Sequence, residues 1–367
     1  MVVLTCLSFL IALLSAIAVI RVARRGGDTY DASKPQRFHA GSVPRLGGIS
    51  VALGVTGGFI AACWPAWGLM RFNVPFPWQL TLQLVLVVLP ALLAGIYEDV
   101  TQRLPVRYRL LLTAMSGALA CAVLGLAIPR LGLPGVDGML ASWPWLGIAL
   151  AFFAICGLPH AFNLIDGYNG LAGMVAVAIC LAIAHVALQL GDRQLAAIVL
   201  CLAGATVGFL FWNYPRGLIF AGDGGAYLWG VVIAVACILL VQRHDAVSPW
   251  FPMLLLIYPV WETIFSIYRK LARGTSPSVA DALHFHQLIY RRIVRTVFAD
   301  DASRRMLMRN NRTSPYLWGF TLIAIVPAVL FWRDTGILMG FCFAFVAIYV
   351  GAYVAIIRFK VPRWIRR

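Results

Sequence analysis

Residues 220–225, Phe220-Ala221-Gly222-Asp223-Gly224-Gly225, lead directly into the apolar run 226–241. Together with the glycines before it, this run is long enough to reach across a bilayer as a helix. Asp223 therefore lies at the mouth of a membrane-spanning segment, where an ionisable side chain is energetically unfavourable and usually has a function. We take Asp223 as the first candidate functional residue.

Two other acidic sites lie in the same kind of place. Glu98 and Asp99 follow the apolar run 80–97, and Asp166 lies between two further runs. The chemistry of the protein depends on whether all of these carboxylates face the same side of a membrane.

The composition is that of an integral membrane protein. Hydrophobic residues make up 61% of the 367 residues and charged residues only 12%, with a mean hydropathy of +0.85. Soluble domains contain roughly twice this fraction of charged residues. The eight cysteines are scattered through apolar runs without ligand-like spacing, so we interpret them as small buried hydrophobic residues.

The lengths of the apolar runs predict the fold class. A spanning helix needs about 20 predominantly apolar residues. Eleven runs come close to this length, at residues 2–20, 47–64, 80–97, 109–128, 145–162, 171–189, 195–212, 225–241, 250–268, 316–331 and 337–357. The chain is therefore predicted to be an all-α polytopic membrane protein with about 11 transmembrane helices.

Lysine and arginine lie mostly on one set of alternate loops. Of the 30 basic residues, 25 lie in the segments 21–46, 98–109, 163–170, 213–224, 269–315 and 358–367. Basic residues mark cytoplasmic loops, so the N-terminus is predicted to be periplasmic and the C-terminus cytoplasmic. All of the acidic motifs then face the cytoplasm.

The same charge distribution indicates whether a nucleic-acid partner and a separate folded domain are to be expected. The net charge of +16 is accounted for by the orientation signal, so we do not expect a nucleic-acid partner. The loops on the opposite side are too short for a folded domain. Residues 1–367 are therefore interpreted as one integral membrane domain with its motif loops on the cytoplasmic side.

Carboxylates at membrane depth beside basic loops suggest a metal ion and a polyanionic substrate. Mg²⁺ prefers oxygen ligands and is usually held by one or two carboxylates together with substrate phosphates. Asp223 and Asp166 suit this arrangement because adjacent glycines let a backbone come close. Mg²⁺ is the expected ion, with Mn²⁺ as the alternative. Arginines such as Arg45 would bind an anionic headgroup, although topology alone also accounts for any one of them.

The loop 269–315 contains two histidines. His284 and His286 are two residues apart, which is poor spacing for a zinc site on a helix. Arg291 and Arg292 follow them. The pair is therefore interpreted as phosphate ligands or a proton relay.

Five motifs, in order and on one side of the membrane, resemble those of a known family. The motifs are Pro44 to Gly48, Gly95 to Asp99 with Leu104 to Arg109, Asn163 to Leu171, Ala221 to Gly225, and Asp281 to Gln287. With these motifs the chain resembles the polyprenyl-phosphate N-acetylhexosamine-1-phosphate transferases, which include the peptidoglycan translocase and enzymes that initiate O-antigen, enterobacterial common antigen and teichoic acid synthesis.

The resemblance implies a reaction and its partners. Undecaprenyl phosphate would attack the β-phosphate of a UDP-N-acetylhexosamine, UMP would leave, and a lipid diphosphate sugar would form. Phosphoryl transfer depends mainly on positioning and on charge neutralisation by Mg²⁺ and cationic side chains. The sugar would be N-acetylglucosamine or a 6-deoxy hexosamine. The resemblance also implies a bacterial inner membrane location and raises a homodimer as a candidate assembly.

The resemblance further implies roles for individual residues. Asp223 would bind the metal, with Asn163 as a second ligand or a nucleotide contact. Asp166 would hold the nucleotide sugar or the waters of the metal. Asp99, with Glu98, would orient or deprotonate the lipid phosphate, and a covalent intermediate is the rival mechanism. The remaining expected substrate contacts are Arg45, Arg107, Arg269, Arg273, His284 and His286.

The chain departs from the family pattern at several positions. Glu98-Asp99 replaces an Asp-Asp pair, so Asp99 is the preferred catalytic residue. Glu262 stands where aspartate is usual, and no partner is evident for it except the arginines that follow. The longer histidine-rich signature of the peptidoglycan enzyme is missing, which favours the antigen-initiating branch.

Other readings stay open at this point. A transporter or flippase for lipid-linked sugars also suits an intramembrane glutamate and broken apolar runs. Against it, the acidic motifs lie on one face, and no inverted repeat is visible. A CDP-alcohol phosphotransferase would need several aspartates at helical spacing, which are absent from the sequence. Asp223 could also serve as the N-cap of its helix, and Gly47-Gly48 could be a helix-packing pair.

Overall fold

A computed structural model describes residues 1–25, 43–63, 74, 76–276, 283–294 and 301–358. In these residues the regular structure is entirely helical. The helices are α1 (Val2–Arg25), α2 (Gly47–Cys63), α3 (Trp78–Thr101), α4 (Val106–Leu124), α5 (Pro134–Ser142), α6 (Pro144–Ile165), α7 (Leu171–Gln189), α8 (Arg193–Asn213), α9 (Gly222–Arg243), α10 (Trp250–Leu255), α11 (Ile257–Leu271), α12 (Phe285–Leu288), α13 (Ala302–Leu330) and α14 (Thr335–Ile357). A π-helical turn, Ile289–Ile293, continues α12.

The predicted class, an all-α polytopic membrane protein, is confirmed. Nine of the helices in the described part of the chain are long and apolar enough to cross a membrane. The second apolar run forms the shorter helix α2, and the ninth run is divided between α10 and α11. The count of eleven crossings and the sides of the two termini stay predictions.

The break in the ninth run has a local cause. Pro259 has no N–H with which to donate to the carbonyl of Leu255, so the helix loses one of its hydrogen bonds at this point. Leu256 lies between the two helices with φ −94° and ψ 2°. The single helix expected over residues 250–268 is thus two helices.

Helix α9 occupies the centre of the bundle. Its side chains from Gly222 to Val241 are all buried, and it packs chiefly against α3 and α6, with further contacts to α2, α7 and α8. A helix that is apolar on every side is suited to such a position. Asp223, in its first turn, is therefore held inside the protein and not at the lipid surface.

Glycines bring two neighbouring helices against the N-terminal end of α9. A Cβ atom on Gly48 of α2 would collide with the backbone nitrogen of Gly225, and one on Gly95 of α3 would collide with that of Gly224. The backbones can approach this closely only without side chains. Gly48 is thus a packing glycine that also positions the start of α9.

Replacing Gly95 by alanine is expected to lower the free energy of unfolding by about 1–3 kcal/mol, because the added methyl group meets backbone that cannot move aside. Gly340→Ala on α14 is the matched control, since its Cβ has nothing within 4 Å. Thermal unfolding in detergent checks both. Equal melting temperatures for the two variants would contradict the close approach.

Candidate active site

The carboxylate of Asp223 accepts hydrogen bonds from two distant arginines and from a tyrosine on its own helix. Its Oδ1 accepts from Arg45 Nη2 at 3.2 Å, and its Oδ2 accepts from Arg109 Nη1 at 3.3 Å. Tyr227, one turn further along α9, donates its hydroxyl to Oδ2 at 3.4 Å. Asp223 is only 4% exposed, so these charge-assisted contacts act in a site that excludes most water.

Asp99, at the end of α3, caps the N-terminus of α9. Its Oδ1 accepts from the backbone N–H of Asp223 and its Oδ2 from that of Gly224, both at 2.9 Å. Arg45 Nε lies 3.6 Å from the same carboxylate. The interpretation of Asp223 as the N-cap of its own helix is wrong, because a carboxylate from another helix satisfies these amides.

Backbone pairing holds Arg45 in place. Phe220 N–H donates to Pro44 O at 2.8 Å, and Gly47 and Gly48 N–H donate to Phe220 O and Ala221 O at 2.8 and 2.9 Å. The segment before α2 therefore lies along the segment before α9. The first and fourth motifs of the sequence are brought together as one unit.

Glu98 has a different position from Asp99. Its Oε2 accepts from the backbone N–H of Leu104 at 2.8 Å, which closes the turn between α3 and α4. Its Oε1 lies 3.8 Å from Arg109 Nη1. Glu98 thus orients the start of α4 and, through it, Arg109.

The structure places Arg109, and not Arg107, in this cluster. Residues two apart on a helix point in nearly opposite directions, so only one of the two can face α9. The guanidinium of Arg107 lies 4.9 Å from the centroid of the Tyr108 ring instead, and its side chain is exposed. A substrate contact by Arg107 stays a prediction.

Asp166 follows the last residue of α6 and lies close enough to Arg45 and Asp223 for their charges to affect its pKa. Burial raises the pKa of its carboxyl to about 7, a shift that Asp223 reinforces and Arg45 opposes. The half-buried Asn163 lies one turn earlier, and its carbonyl accepts from Asp166 N–H at 3.3 Å. These two residues share one end of the bundle with Asp223.

The donor set can be compared with the expected ion. Among the described residues, no three His, Cys, Asp or Glu side chains are grouped as a candidate metal site. Asp223 and Asp166 are hard oxygen donors of the kind that bind Mg²⁺ together with phosphate oxygens and water. Asp223 and Asp166 therefore suit a Mg²⁺ ion whose remaining ligands come from a substrate and from water.

A second polar cluster surrounds Glu262 on α11. The carboxylate is fully buried, and it accepts from the N–H of Phe285 at 3.1 Å and from the hydroxyl of Tyr349 at 2.7 Å. Its Oε1 lies 3.2 Å from His284 Nδ1. The expectation that Glu262 has no partner besides the following arginines is wrong, because its partners come from the histidine segment and from α14.

Arg269 supports the same segment. Its Nη1 donates to the carbonyl of Leu283 at 2.6 Å and to the hydroxyl of Tyr353 at 2.8 Å. The side chain is buried, and these contacts fix the backbone just before His284. Arg273, in contrast, is exposed beyond the end of α11. The binding of a diphosphate by either arginine stays a prediction.

His286 connects the second cluster to the turn that follows Asp166. Its ring stacks on that of His284, with centroids 5.4 Å apart, and meets the edge of Tyr168 at 5.6 Å. Burial lowers the pKa of His286 to about 3, and the neighbouring His284 acts in the same direction. His286 is therefore neutral near pH 7 and would contact a phosphate by hydrogen bonding instead of by charge.

Several site residues are not evident from the sequence. His160 of α6 lies 3.0 Å from the hydroxyl of Thr113, and its ring meets that of Tyr227 at 5.3 Å. Asn213 and a polar stretch of α13 contact the turn after Asp166, as described below. Their sequence signal is weak, because they are only polar residues at the ends of apolar runs. Asp281 of the fifth motif lies outside the described residues.

These observations define the class of the protein: an all-helical polytopic membrane protein with a buried site of carboxylates and arginines at one end of its central helix. Comparison with known proteins shows which family this region resembles. The model for glycosyl transferase family 4 matches residues 81–241, the region from α3 to α9 that carries Asp99, Asp166 and Asp223. The chain is similar to this family over these residues.

Individual relatives extend the similarity beyond that region. An undecaprenyl-phosphate alpha-N-acetylglucosaminyl 1-phosphate transferase from Yersinia pestis is 28% identical over 288 residues, which cover 76% of the chain and 74% of the relative. A decaprenyl-phosphate N-acetylglucosaminephosphotransferase from Mycobacterium tuberculosis is 28% identical over 348 residues, covering 84% and 83%. The similarity thus extends over most of this chain and most of each relative.

Proposed function

We propose that this protein transfers an N-acetylhexosamine 1-phosphate from a UDP-sugar to undecaprenyl phosphate. An oxygen of the lipid phosphate attacks the β-phosphorus of the UDP-sugar, and the bond from that phosphorus to the bridging oxygen breaks. UMP leaves with the bonding electrons and the bridging oxygen. The observation that carries the proposal is the contact of Asp223 with Arg45 and Arg109 at the buried start of α9.

The charges of this cluster suit a diphosphate. Arg45 and Arg109 can neutralise phosphate oxygens, and their present contacts with Asp223 hold them in place before substrate binds. Asp223 and Asp166, with Asn163 beside them, would hold Mg²⁺. The ion, when bound, would neutralise the charge that develops on the leaving UMP.

Asp99 is better suited to positioning than to proton transfer. Both of its carboxylate oxygens accept backbone N–H groups at 2.9 Å, so a proton acceptor role would disrupt the start of α9. Burial raises the pKa of Asp166 to about 7, but a carboxylate that binds Mg²⁺ is not free to accept a proton. We therefore assign neither residue as a base.

An apolar cavity supports a polyprenyl acceptor. It has a volume of about 490 Å³ and lies between α6, α9, α11 and α14. Its lining includes Ala161, the sequence neighbour of His160, whose ring meets that of Tyr227 at 5.3 Å. A chain of isoprene units would fill such a space while its phosphate reached the arginines.

A flippase is disfavoured by where the charge lies. The part of α9 from Ala226 to Val241 crosses the centre of the bundle without a charged residue. Glu262 is buried, but its carboxylate is already satisfied by three partners. Neither α9 nor Glu262 thus offers an open ionisable group of the kind that transporters use at the midplane.

The direct test is UMP release by the purified protein with undecaprenyl phosphate, Mg²⁺ and single UDP-sugars, with mass spectrometry of the lipid product. UDP-N-acetylglucosamine is the expected donor, in line with the names of the relatives, and a 6-deoxy hexosamine is the second candidate. Chelation should stop turnover, and Mg²⁺ or Mn²⁺ should restore it. The absence of turnover with every UDP-N-acetylhexosamine, in a folded protein, would refute the proposal. The sugar that the protein accepts in this assay would then indicate whether the product initiates O-antigen or a related polysaccharide.

The proposed location of the site on the cytoplasmic face of the inner membrane has its own test. In a background without the eight native cysteines, Arg103→Cys and Asp245→Cys place single thiols at exposed positions on opposite ends of the bundle. A membrane-impermeant maleimide applied to intact spheroplasts should label position 245 alone. Labelling of position 103 from outside would overturn the orientation.

A further inference from the structure

A polar stretch of α13 contacts the turn that follows Asp166. Asn310 Oδ1 accepts from the backbone N–H of Asn169 at 2.8 Å, and Ser314 donates its hydroxyl to Asn169 O at 2.6 Å. Trp318 Nε1–H donates to Gly170 O at 3.1 Å. Three side chains from one helix thus bind the backbone of two consecutive residues more than 140 positions away.

Asn311 joins this turn to a second loop. Its Oδ1 accepts from Asn169 Nδ2 at 2.9 Å, while its Nδ2 donates to Pro215 O at 2.6 Å. Pro215 belongs to the loop between α8 and α9, which leads to Asp223. One amide side chain therefore bridges the loop that carries Asp166 and the loop that precedes Asp223.

Asn213 makes a second bridge between the same two loops. Its Oδ1 accepts from Gly170 N–H at 2.6 Å, and its Nδ2 donates to Ile219 O at 2.8 Å. Gly170 has φ +71°, a backbone conformation that favours glycine, so this turn is tightly specified. The contacts from α13 and Asn213 together satisfy backbone groups that the helix ends leave without partners.

We propose that Asn311 and Ser314 of α13 are positioning residues that set the distance between Asp166 and Asp223 for the transfer reaction. The proposal rests on the proposed function. The two carboxylates lie on different loops, and α13 contacts the turn at Asn169 and the loop at Pro215. Neither Asn311 nor Ser314 needs to touch a substrate for this role.

Isosteric substitutions separate positioning from packing. Ser314→Thr keeps the hydroxyl that donates to Asn169 O. Ser314→Val has the shape of that threonine but lacks the hydroxyl. Asn311→Asp keeps the acceptor for Asn169 Nδ2 but places a carboxylate oxygen against Pro215 O. We expect Ser314→Val and Asn311→Asp to lower kcat by about thirtyfold with KM for the UDP-sugar nearly unchanged, since misplaced groups reduce rate more than binding.

The conservative variant and a control on the same helix complete the test. Ser314→Thr should retain kcat within about threefold. Thr321→Val removes a hydroxyl that only bonds to Leu317 within α13, and its activity should equal that of the unmodified protein. All rates are measured at a temperature where melting curves show each variant folded.

The outcomes are distinct. If the unmodified protein does not release UMP, the proposed function fails. If it does, equal kcat values for Ser314→Thr and Ser314→Val, or an unchanged kcat for Asn311→Asp, would overturn the positioning role. A lower melting temperature without a change in kcat would show that α13 only packs against the loops.

Discussion

Replacing Asp223 by asparagine is expected to reduce UMP release by about a thousandfold while the protein stays folded. The amide has the shape of the carboxylate but no charge, so it attracts a cation much less strongly. It would also leave Arg45 and Arg109, which now share Asp223, with one fewer anionic partner. The measurement is the initial rate of UMP release as a function of Mg²⁺ concentration.

Tyr227→Phe is the control for this variant. It removes the hydroxyl, which contacts Asp223 Oδ2 at 3.4 Å and also interacts with Arg109, and it keeps the ring that packs on His160. Its rate should fall by less than about tenfold. An Asp223→Asn protein that turned over within tenfold of the unmodified one would exclude Asp223 as the essential charge.

Replacing Glu262 by alanine is expected to lower the free energy of unfolding by about 3–5 kcal/mol, because removing one member of a buried polar network leaves the others unpaired. The groups left behind are His284 Nδ1, the N–H of Phe285 and the hydroxyl of Tyr349. Glutamine retains one acceptor oxygen but presents an amide donor to groups that are themselves donors. Its effect should be smaller, about 1–3 kcal/mol.

Thermal and denaturant unfolding in detergent measure this series. Thr263→Val, next to Glu262 on α11, serves as the control, since its hydroxyl bonds only to Pro259 O one turn earlier. We expect the control to change the free energy of unfolding by less than about 1 kcal/mol. If Glu262→Ala were as stable as this control, the network around the histidine segment would not hold the fold together.

The fold class and the grouping of the motifs at one end of the bundle could be predicted because both depend on local composition. Run length indicates which segments can form spanning helices, and the basic residues indicate one side for Glu98, Asp99, Asp166 and Asp223. A shared side places Asp223 near Arg109 and Arg45, which lie 114 and 178 positions earlier in the chain, but it does not specify the contacts between them.

The remaining features depend on helix rotation and on distant partners. The choice of Arg109 over Arg107 is set by how α4 is turned towards α9, which run length does not report. Asp99 instead of Asp223 caps α9 because Gly95 lets α3 approach closely. The amide of Asn311 could equally have faced solvent. Only the assembled bundle shows that it bridges two loops.

The central position of α9 has a consequence for the biosynthesis of the protein. The helices with which it packs most extensively, α2, α3, α6, α7 and α8, all precede it in the chain. When α9 leaves the ribosome, its surroundings have already been synthesised, and the carboxylate of Asp99 still lacks the two amides that it binds in the finished fold. A nascent chain that ends after α8 would therefore expose polar and apolar surface inside the bundle, and the insertion of a single helix would fill the core and complete the charged site in the same step.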